Sequence, residues 1–251
     1  MTRAPTRLIE EDASACAEML RARLVAGDYR EGERLPAERQ LCEELSVSRG
    51  TLRNALAQLT TQGLLRVRQG SGYTACAWQR QGGPELLGTL ADARKSDRMA
   101  IATDLLAMRR ALALVVLERL MASEFDVRPI RRAVDAFGLG ASRGMSTSEA
   151  TSLDLAVMTE LVQASGSIAF QLALNPIIQV LTRLTWLGDA MYAEPLQNSA
   201  GYDALVAWLK QPDAAGLPLV RTALEAIDAQ TTRALATLST KKRASRKAGS
   251  R

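Results

Sequence analysis

Apolar side chains recur at three- and four-residue intervals along most of this 251-residue chain, the spacing that predicts amphipathic α-helices. Near the N-terminus the pattern predicts helices over residues 12–27, 37–45 and 48–62. Two short strands, over 64–67 and 72–76, are expected to follow as a β-ribbon. This order is typical of a winged helix-turn-helix, in which the second helix of the pair lies in the major groove of DNA.

The third predicted helix has two different faces. Its apolar positions form a stripe that we expect to be buried, made of Leu52, Ala55, Leu56 and Leu59. Ser48 is placed to cap the N-terminus of this helix, whereas Arg49 and Arg53, four residues apart, share another face. Because arginine matches the O6 and N7 acceptors of guanine, the pattern predicts base recognition at the start of this helix.

The distribution of charge supports a DNA-facing surface. No acidic residue occurs between Glu44 and Glu85, whereas five arginines do: Arg49, Arg53, Arg66, Arg68 and Arg80. A surface of one sign suits the phosphate backbone, because each neutralised phosphate releases a condensed counterion. The net charge of +5 adds little to this argument, since it comes from the basic segment 241–251, which we predict to be a disordered tail.

The rest of the chain shows helical spacing and no convincing strand alternation. Helices are expected near 85–94, 99–123, 127–139, 147–165, 168–193, 199–210 and 217–238, with a kink at Pro176. We therefore predict a mainly α protein. It has a winged helix-turn-helix domain over 8–78, a linker over 79–84, and an antiparallel all-α bundle of six or seven helices over 85–240, ahead of the tail.

Three blocks in the N-terminal region carry a family resemblance: LPAER at 35–39, SRGTLRNAL at 48–56, and GLLRVRQGSGY at 63–73. Together they resemble the winged-helix domain of the GntR family of bacterial transcription factors. The resemblance implies that Arg39 and Arg49 read guanine bases and that Arg53 contacts a phosphate. The residues it implies at the DNA are Arg39, Ser48, Arg49, Gly50, Thr51, Arg53 and, at the wing tip, Gln69, Gly70 and Ser71.

The helical region resembles the second domain of the FadR-type branch of that family. The similar segments are DLLAMRRAL at 104–112, LDLAVMTELVQASG at 153–166 and LALNPIIQVLTRL at 172–184. This resemblance implies a homodimer whose helical domain binds an acyl-CoA, a fatty acid or a small carboxylate. The effector-binding residues expected from it are Arg109, Asp154, Ile177, Leu181, Arg183 and Trp186.

Arg109 has two possible roles in this domain. It shares a helical face with Leu105, Leu112 and Val116, so its guanidinium should point inward, where it needs an anion. One candidate is Asp154, which would make a structural ion pair without an effector role. The other is the carboxylate, phosphate or thioester end of a ligand.

Several classes of site are not expected. Many FadR-type proteins hold a metal through an aspartate and three histidines; this chain has no histidine, so we expect no metal and no cofactor. Its three cysteines are widely spaced, which indicates reduced thiols in a cytoplasmic protein. Neither a signal peptide nor a membrane-spanning run is expected. An enzyme is not expected either, because Gly-x-Ser-x-Gly, phosphate-loop and clustered-carboxylate motifs are missing.

The sequence thus predicts a transcriptional regulator, with a repressor as one possibility, that binds a palindromic operator as a homodimer. A small molecule in the helical domain would change its DNA affinity. The alternative is a DNA-binding dimer whose helical domain serves only for dimerisation. An interior filled by side chains and an Arg109–Asp154 pair would favour that alternative.

Overall fold

The computed structural model describes residues 6–68 and 72–248. The chain divides into two compact units, with the division between Asp97 and Arg98. The first contains a helix-turn-helix with a two-stranded antiparallel ribbon, and the second is helical. The predicted fold class is therefore confirmed. Within the first unit the elements are α1 (Thr6–Ala26), α2 (Glu38–Leu45), α3 (Arg49–Thr61), β1 (Leu65–Arg68), β2 (Gly72–Ala75), α4 (Trp78–Gln81), α5 (Leu86–Ala93) and a 3₁₀ turn (Lys95–Asp97).

The core of the first unit lies between α1, α3 and the ribbon. The stripe predicted on α3 is buried, and it packs with α1 residues such as Leu20, which is fully buried. Gly63 ends the α3 segment with a positive φ of 72°, a conformation that suits glycine. The chain then turns directly into β1, where Leu65 is paired with Ala75 of β2.

The ribbon has a third participant that the sequence pattern did not reveal. Arg34 forms an isolated antiparallel bridge with Thr74. The backbone N–H of Leu35 donates to the Tyr73 carbonyl at 2.9 Å, and the Ala75 N–H donates to the Glu33 carbonyl at 2.9 Å. Residues 33–35 therefore connect the segment before α2 to the wing through backbone hydrogen bonds.

Helix α5 corrects the predicted domain boundary. Residues 79–84 were expected to be a linker, with the helical domain beginning at 85, but α5 packs against α1 and belongs to the first unit. Leu86 is 4% exposed and joins the N-terminal core. The Thr89 hydroxyl donates to the Glu18 carboxylate at 3.1 Å. The Gly82-Gly83-Pro84 sequence is thus a turn inside this unit, and the boundary lies more than ten residues later.

The second unit contains seven helices in the part of the chain that the structure describes: α6 (Arg98–Met121), α7 (Arg128–Ser142), α8 (Thr147–Ala164), α9 (Ile168–Arg183), α10 (Thr185–Met191), α11 (Pro195–Leu209) and α12 (Gly216–Ala248). Helix α8 packs against α6, α7, α9 and α10, while α12 packs against α6, α10 and α11. Phe137 of α7 is fully buried and its ring meets that of Tyr202 edge-on, with centroids 5.2 Å apart.

Two predictions for this unit are wrong. The helix expected over 168–193 is two helices, because the backbone leaves helical geometry at Leu184 (φ −85°, ψ 65°), and Pro176 remains inside α9. The segment 241–251, expected to be a disordered tail, is helical as far as Ala248. Lysine, arginine and alanine are strong helix formers, and extending an existing helix avoids the cost of nucleation.

Candidate DNA interface and ligand cavity

The turn between α2 and α3 is closed by two serines. Ser46 adopts the left-handed conformation (φ 54°, ψ 41°), and its N–H donates to the carbonyls of Cys42 and Glu43. Ser48 caps α3, since its Oγ accepts the Thr51 N–H at 3.1 Å. Its Oγ also lies 2.9 Å from the Thr51 hydroxyl oxygen. These bonds set the angle at which the first turn of α3 leaves α2.

The first two turns of α3 present a polar face to solvent. Arg49, Gly50, Arg53 and Asn54 are exposed, while the apolar stripe on the opposite side is buried. Ser48 is exposed as well, but Thr51 is only 8% exposed. Of the residues expected at the DNA on this helix, four are accessible, and Thr51 lies behind them as part of the cap.

Two of the basic side chains expected at the DNA, Arg53 on α3 and Arg39 on α2, have acidic partners. The Arg53 Nε donates to Glu38 Oε2 at 2.9 Å, across the turn from α3 to α2. This bond raises the pKa of Arg53. Arg39 is 80% exposed and its guanidinium is 3.5 Å from the Glu43 carboxylate. Glu38 was not singled out from the sequence, where only its place beside the predicted base reader Arg39 could have drawn attention to it.

The wing supplies further exposed basic surface. Arg66, on β1, is exposed, and Val67 beside it is 56% exposed. The predicted wing contacts Gln69, Gly70 and Ser71 lie outside the described residues.

A second candidate site lies inside the helical unit. A cavity of about 410 Å³, partly open to solvent, is lined by α6, α8, α11 and α12, with the end of α10. Its walls are mainly apolar, formed by residues such as Leu106, Leu117, Leu161, Leu205, Ala223 and Ile227. Four charged side chains also line it: Arg109, Arg110, Asp154 and Asp228. The interior is therefore not filled by side chains.

Arg109 and Asp154 form a buried ion pair on the cavity wall. The Arg109 Nη2 lies 2.8 Å from both carboxylate oxygens of Asp154, and the two side chains are 14% and 2% exposed. The hydroxyls of Tyr202 and Tyr192 also bond to this carboxylate. Burial raises the pKa of Asp154, and the guanidinium and the tyrosine hydroxyl act in the opposite direction. Burial likewise raises the pKa of Tyr192.

A second ion pair lies close by. Arg110, next to Arg109 on α6, bonds through Nη1 to the Asp228 carboxylate of α12. These two side chains are 25% and 14% exposed. Successive residues of a helix point about 100° apart, which lets one helix supply guanidinium groups to two different neighbours.

The structure separates the expected effector residues into two groups. Arg109 and Asp154 line the cavity, but the other four do not. Ile177 and Leu181 are buried in the helical packing, 6% and 5% exposed, and Arg183 is exposed. Trp186 is partly buried, with the Arg98 guanidinium 5.2 Å from its ring centroid. Ile177, Leu181 and Arg183 lie on α9 and Trp186 lies on α10, and their part in effector binding stays a prediction.

Within residues 6–68 and 72–248, no three His, Cys, Asp or Glu side chains come close enough together to hold a metal ion. In the same ranges, no helix is both long and apolar enough to cross a membrane.

Comparison with known proteins identifies the N-terminal unit. Residues 13–74 match the family model "Bacterial regulatory proteins, gntR family". The chain is 41% identical over 73 residues to the HTH-type transcriptional regulator Mce2R of Mycobacterium tuberculosis, which is 29% of this chain and 30% of that protein. It is 43% identical over 75 residues to a putative L-lactate dehydrogenase operon regulatory protein of Escherichia coli, 30% of this chain and 27% of that one. These matches thus span under a third of the relatives' lengths.

A likeness in structure extends over more of the chain. The solved structure of Lar, a protein described as controlling expression of the Listeria monocytogenes agr system, matches with a TM-score of 0.60. The match covers 90% of this chain and 97% of that chain at 14% identity. At this identity the likeness concerns the fold alone.

Proposed function

We propose that the whole chain is a transcriptional regulator that binds operator DNA, since residues 13–74 match the model of the gntR family of bacterial regulatory proteins. The observation that carries the proposal is the exposed face of α3. Arg49 and Arg53 lie on its first two turns, opposite a fully buried apolar stripe. Arg39 extends this basic surface from α2.

We assign different roles to these arginines. Arg49 lies at the N-terminal end of the recognition helix, where side chains reach base edges, and we propose that it and Arg39 read guanines. Arg53 is held by Glu38 at 2.9 Å, and we assign it to a phosphate. Gln69, Gly70 and Ser71 remain the proposed wing contacts.

We propose a homodimer on a palindromic operator. A single winged helix-turn-helix domain reads too few base pairs for useful specificity. Two such domains related by a two-fold axis read half-sites about one helical turn apart. The same symmetry then relates the protein and its operator.

The cavity supports control of DNA binding by a small molecule. Its volume of about 410 Å³ falls within the ~300–1,000 Å³ of small-molecule sites. A ligand changes DNA affinity only if it binds one of two arrangements of the protein more tightly than the other. Equal affinity for both arrangements leaves their populations unchanged. The resemblance to FadR-type proteins suggested an acyl-CoA, a fatty acid or a small carboxylate as this ligand.

A second candidate function follows from the Arg109–Asp154 pair. Because the guanidinium already has an anion inside the protein, it does not require a ligand. The helical unit would then serve only to join two DNA-binding domains in a dimer. The cavity favours the effector-gated form, whereas the pair taken alone favours the dimerisation module.

DNA selection followed by variant analysis tests the proposed function. The full chain is used to select bound duplexes from a random pool, and affinities for a selected and a scrambled duplex are measured by fluorescence anisotropy. We expect Arg49→Ala to weaken binding to the selected duplex by about ten- to a hundredfold, the worth of a bidentate base contact, with little change for the scrambled one. Arg53→Ala should weaken both similarly and lower the salt slope by about one.

The matched control is Arg132→Ala, which removes an exposed arginine from α7 of the helical unit. It should leave both affinities unchanged. Failure to enrich any sequence would refute the proposed function. If Arg53→Ala weakens binding to the selected duplex but not to the scrambled one, the roles of the two α3 arginines are assigned wrongly.

A further inference from the structure

The charged groups that line the cavity cancel. Arg109 is paired with Asp154, and Arg110 is paired with Asp228. Among the described residues of the lining, these two pairs account for every side chain that carries a charge near neutral pH. The wall therefore has two positive and two negative charges, and no net charge to offer a ligand.

The Arg109 guanidinium cannot easily change its partner. The Arg109 Nη2 contacts both oxygens of Asp154 at 2.8 Å, and its Nε lies 3.1 Å from the Met158 sulfur. A ligand carboxylate that took over Arg109 would leave the Asp154 carboxylate, 2% exposed, without its counterion. Removing one partner of a buried pair is costly because the other charge remains buried. An anionic group seated among the apolar walls beside the intact pairs would lack a counterion there.

The other polar groups of the lining suit an uncharged ligand. The Tyr202 hydroxyl bonds to Asp154, and the Thr231 hydroxyl donates to the Ile227 carbonyl at 3.0 Å. The Asn198 Nδ2 donates to the Met191 carbonyl at 3.3 Å, so its own Oδ1 is the oxygen that it can present. Apolar walls with a few hydrogen-bonding groups favour binding by burial of apolar surface.

We propose that this cavity binds an uncharged, mainly apolar small molecule and discriminates against anionic counterparts of the same shape. The inference rests on the proposed function, in that it names the ligand class of the proposed regulator. It departs from the carboxylate or acyl-CoA ligand that the family resemblance suggested. The reason is the charge balance of the wall: what would have been a cationic anchor, Arg109, is neutralised within the protein.

The test uses two fluorescent probes with the same ring skeleton. N-phenyl-1-naphthylamine is neutral, and 1-anilinonaphthalene-8-sulfonate carries one negative charge. Both are titrated into the full-length protein at pH 7.5, and the fluorescence increase gives the affinity. We expect the neutral probe to bind once per chain and about tenfold or more tightly than the sulfonate. Ala113→Phe, which fills the cavity from α6, should abolish this binding, whereas Ala207→Phe on the exposed side of α11 should not.

A charge variant makes the test specific to the lining. Asp228→Asn leaves Arg110 without its carboxylate and gives the wall one net positive charge. We expect the affinity for the sulfonate to rise about tenfold, with little change for the neutral probe, because the guanidinium is then available to an anion. Asp203→Asn, which removes an exposed carboxylate of α11, is the matched control and should change neither affinity. Circular dichroism melts establish that each variant is folded.

Three results would overturn the inference: wild-type protein that binds the sulfonate as tightly as the neutral probe, neutral-probe binding that survives Ala113→Phe, and no binding of the neutral probe. Duplex binding is measured on the same samples. Intact binding to the selected duplex alongside any of these results refutes the ligand class alone, whereas the proposed function fails if no duplex is selected.

Discussion

The Arg109–Asp154 pair makes a quantitative prediction about the stability of the helical unit. Arg109→Met removes the guanidinium and leaves the Asp154 carboxylate, which is 2% exposed, with only tyrosine hydroxyls as partners. Breaking a buried pair in this way typically costs about 3–5 kcal/mol. Because two hydroxyls still bond to the carboxylate, we expect the lower end, about 3 kcal/mol. For a domain of this size that corresponds to a fall in Tm of roughly 6–12 °C.

The double variant Arg109→Met/Asp154→Leu should be far more stable than the single variants suggest. Replacing both charges with apolar side chains of similar volume leaves no unpaired group, and such replacements are often neutral or stabilising. We expect the double variant to lie within about 1 kcal/mol of the parent protein. Asp154→Leu alone should be destabilised at least as much as Arg109→Met, since it strands a buried guanidinium.

The assay must follow the helical unit by itself. Of the three tryptophans in the chain, Trp186 and Trp208 lie in that unit and Trp78 lies in the other. In a Trp78→Phe background, urea unfolding monitored by tryptophan fluorescence therefore reports the free energy of unfolding of the helical unit. The reasoning is refuted if the losses of unfolding free energy of the two single variants add up in the double variant. Such additivity would mean that the two charges do not stabilise one another.

The same variant has a predicted pH dependence. Burial raises the pKa of Asp154, and Arg109 opposes that rise, so removing Arg109 raises the folded-state pKa further. A carboxyl group whose folded pKa lies above its unfolded value of about 3.9 binds a proton more tightly when folded. Its stability contribution is greatest below the unfolded pKa and is lost as the pH rises through the folded one. The stability gap between parent and Arg109→Met should thus narrow as the pH falls from 7.5 towards about 4.

Two further predictions concern the helix-turn-helix. Ser46 lies in the turn with a φ of 54°, where a β-branched residue is strained. We therefore expect Ser46→Val to lower the free energy of unfolding by about 1–2 kcal/mol and Ser46→Gly not to lower it. Equal losses of unfolding free energy for the two variants in urea melts would contradict this. Glu38→Gln removes both an acid from the DNA face and the partner of Arg53. We expect tighter binding to selected and scrambled duplexes alike and a steeper dependence on salt; unchanged anisotropy titrations would show that the Glu38–Arg53 bond does not compete with phosphate.

The N-terminal unit could be predicted from the sequence because its signals are local. The Ser48 cap and the three-four spacing on α3 each act within a few residues, and each appears in the structure as expected. The pairing of residues 33–35 with β2 could not be predicted in this way. Three residues are too few to show strand alternation, and the partner strand lies about forty positions further along the chain.

The domain boundary was misplaced for a related reason. Gly82-Gly83-Pro84 has the composition of a linker. The burial of Leu86 in the N-terminal core and the bond from Thr89 to Glu18 show that the chain returns to α1 after it. The tail illustrates the opposite case. Its basic composition indicates disorder when taken alone, but its residue types also continue a helix that begins at Gly216.

The ligand site shows most clearly what sequence reasoning cannot supply. Considered along the chain, Arg109 is a cation on an apolar helical face, and either Asp154 or a ligand anion could be its partner. The structure places Asp154 within 2.8 Å of its Nη2, which satisfies the guanidinium, yet it leaves a cavity of about 410 Å³ beside the pair. The two features together are the basis for proposing an uncharged ligand instead of an anionic one. The charge of a binding site belongs to the set of side chains that several helices bring together, and a neutral sum selects a different molecule from the one that any single arginine suggests.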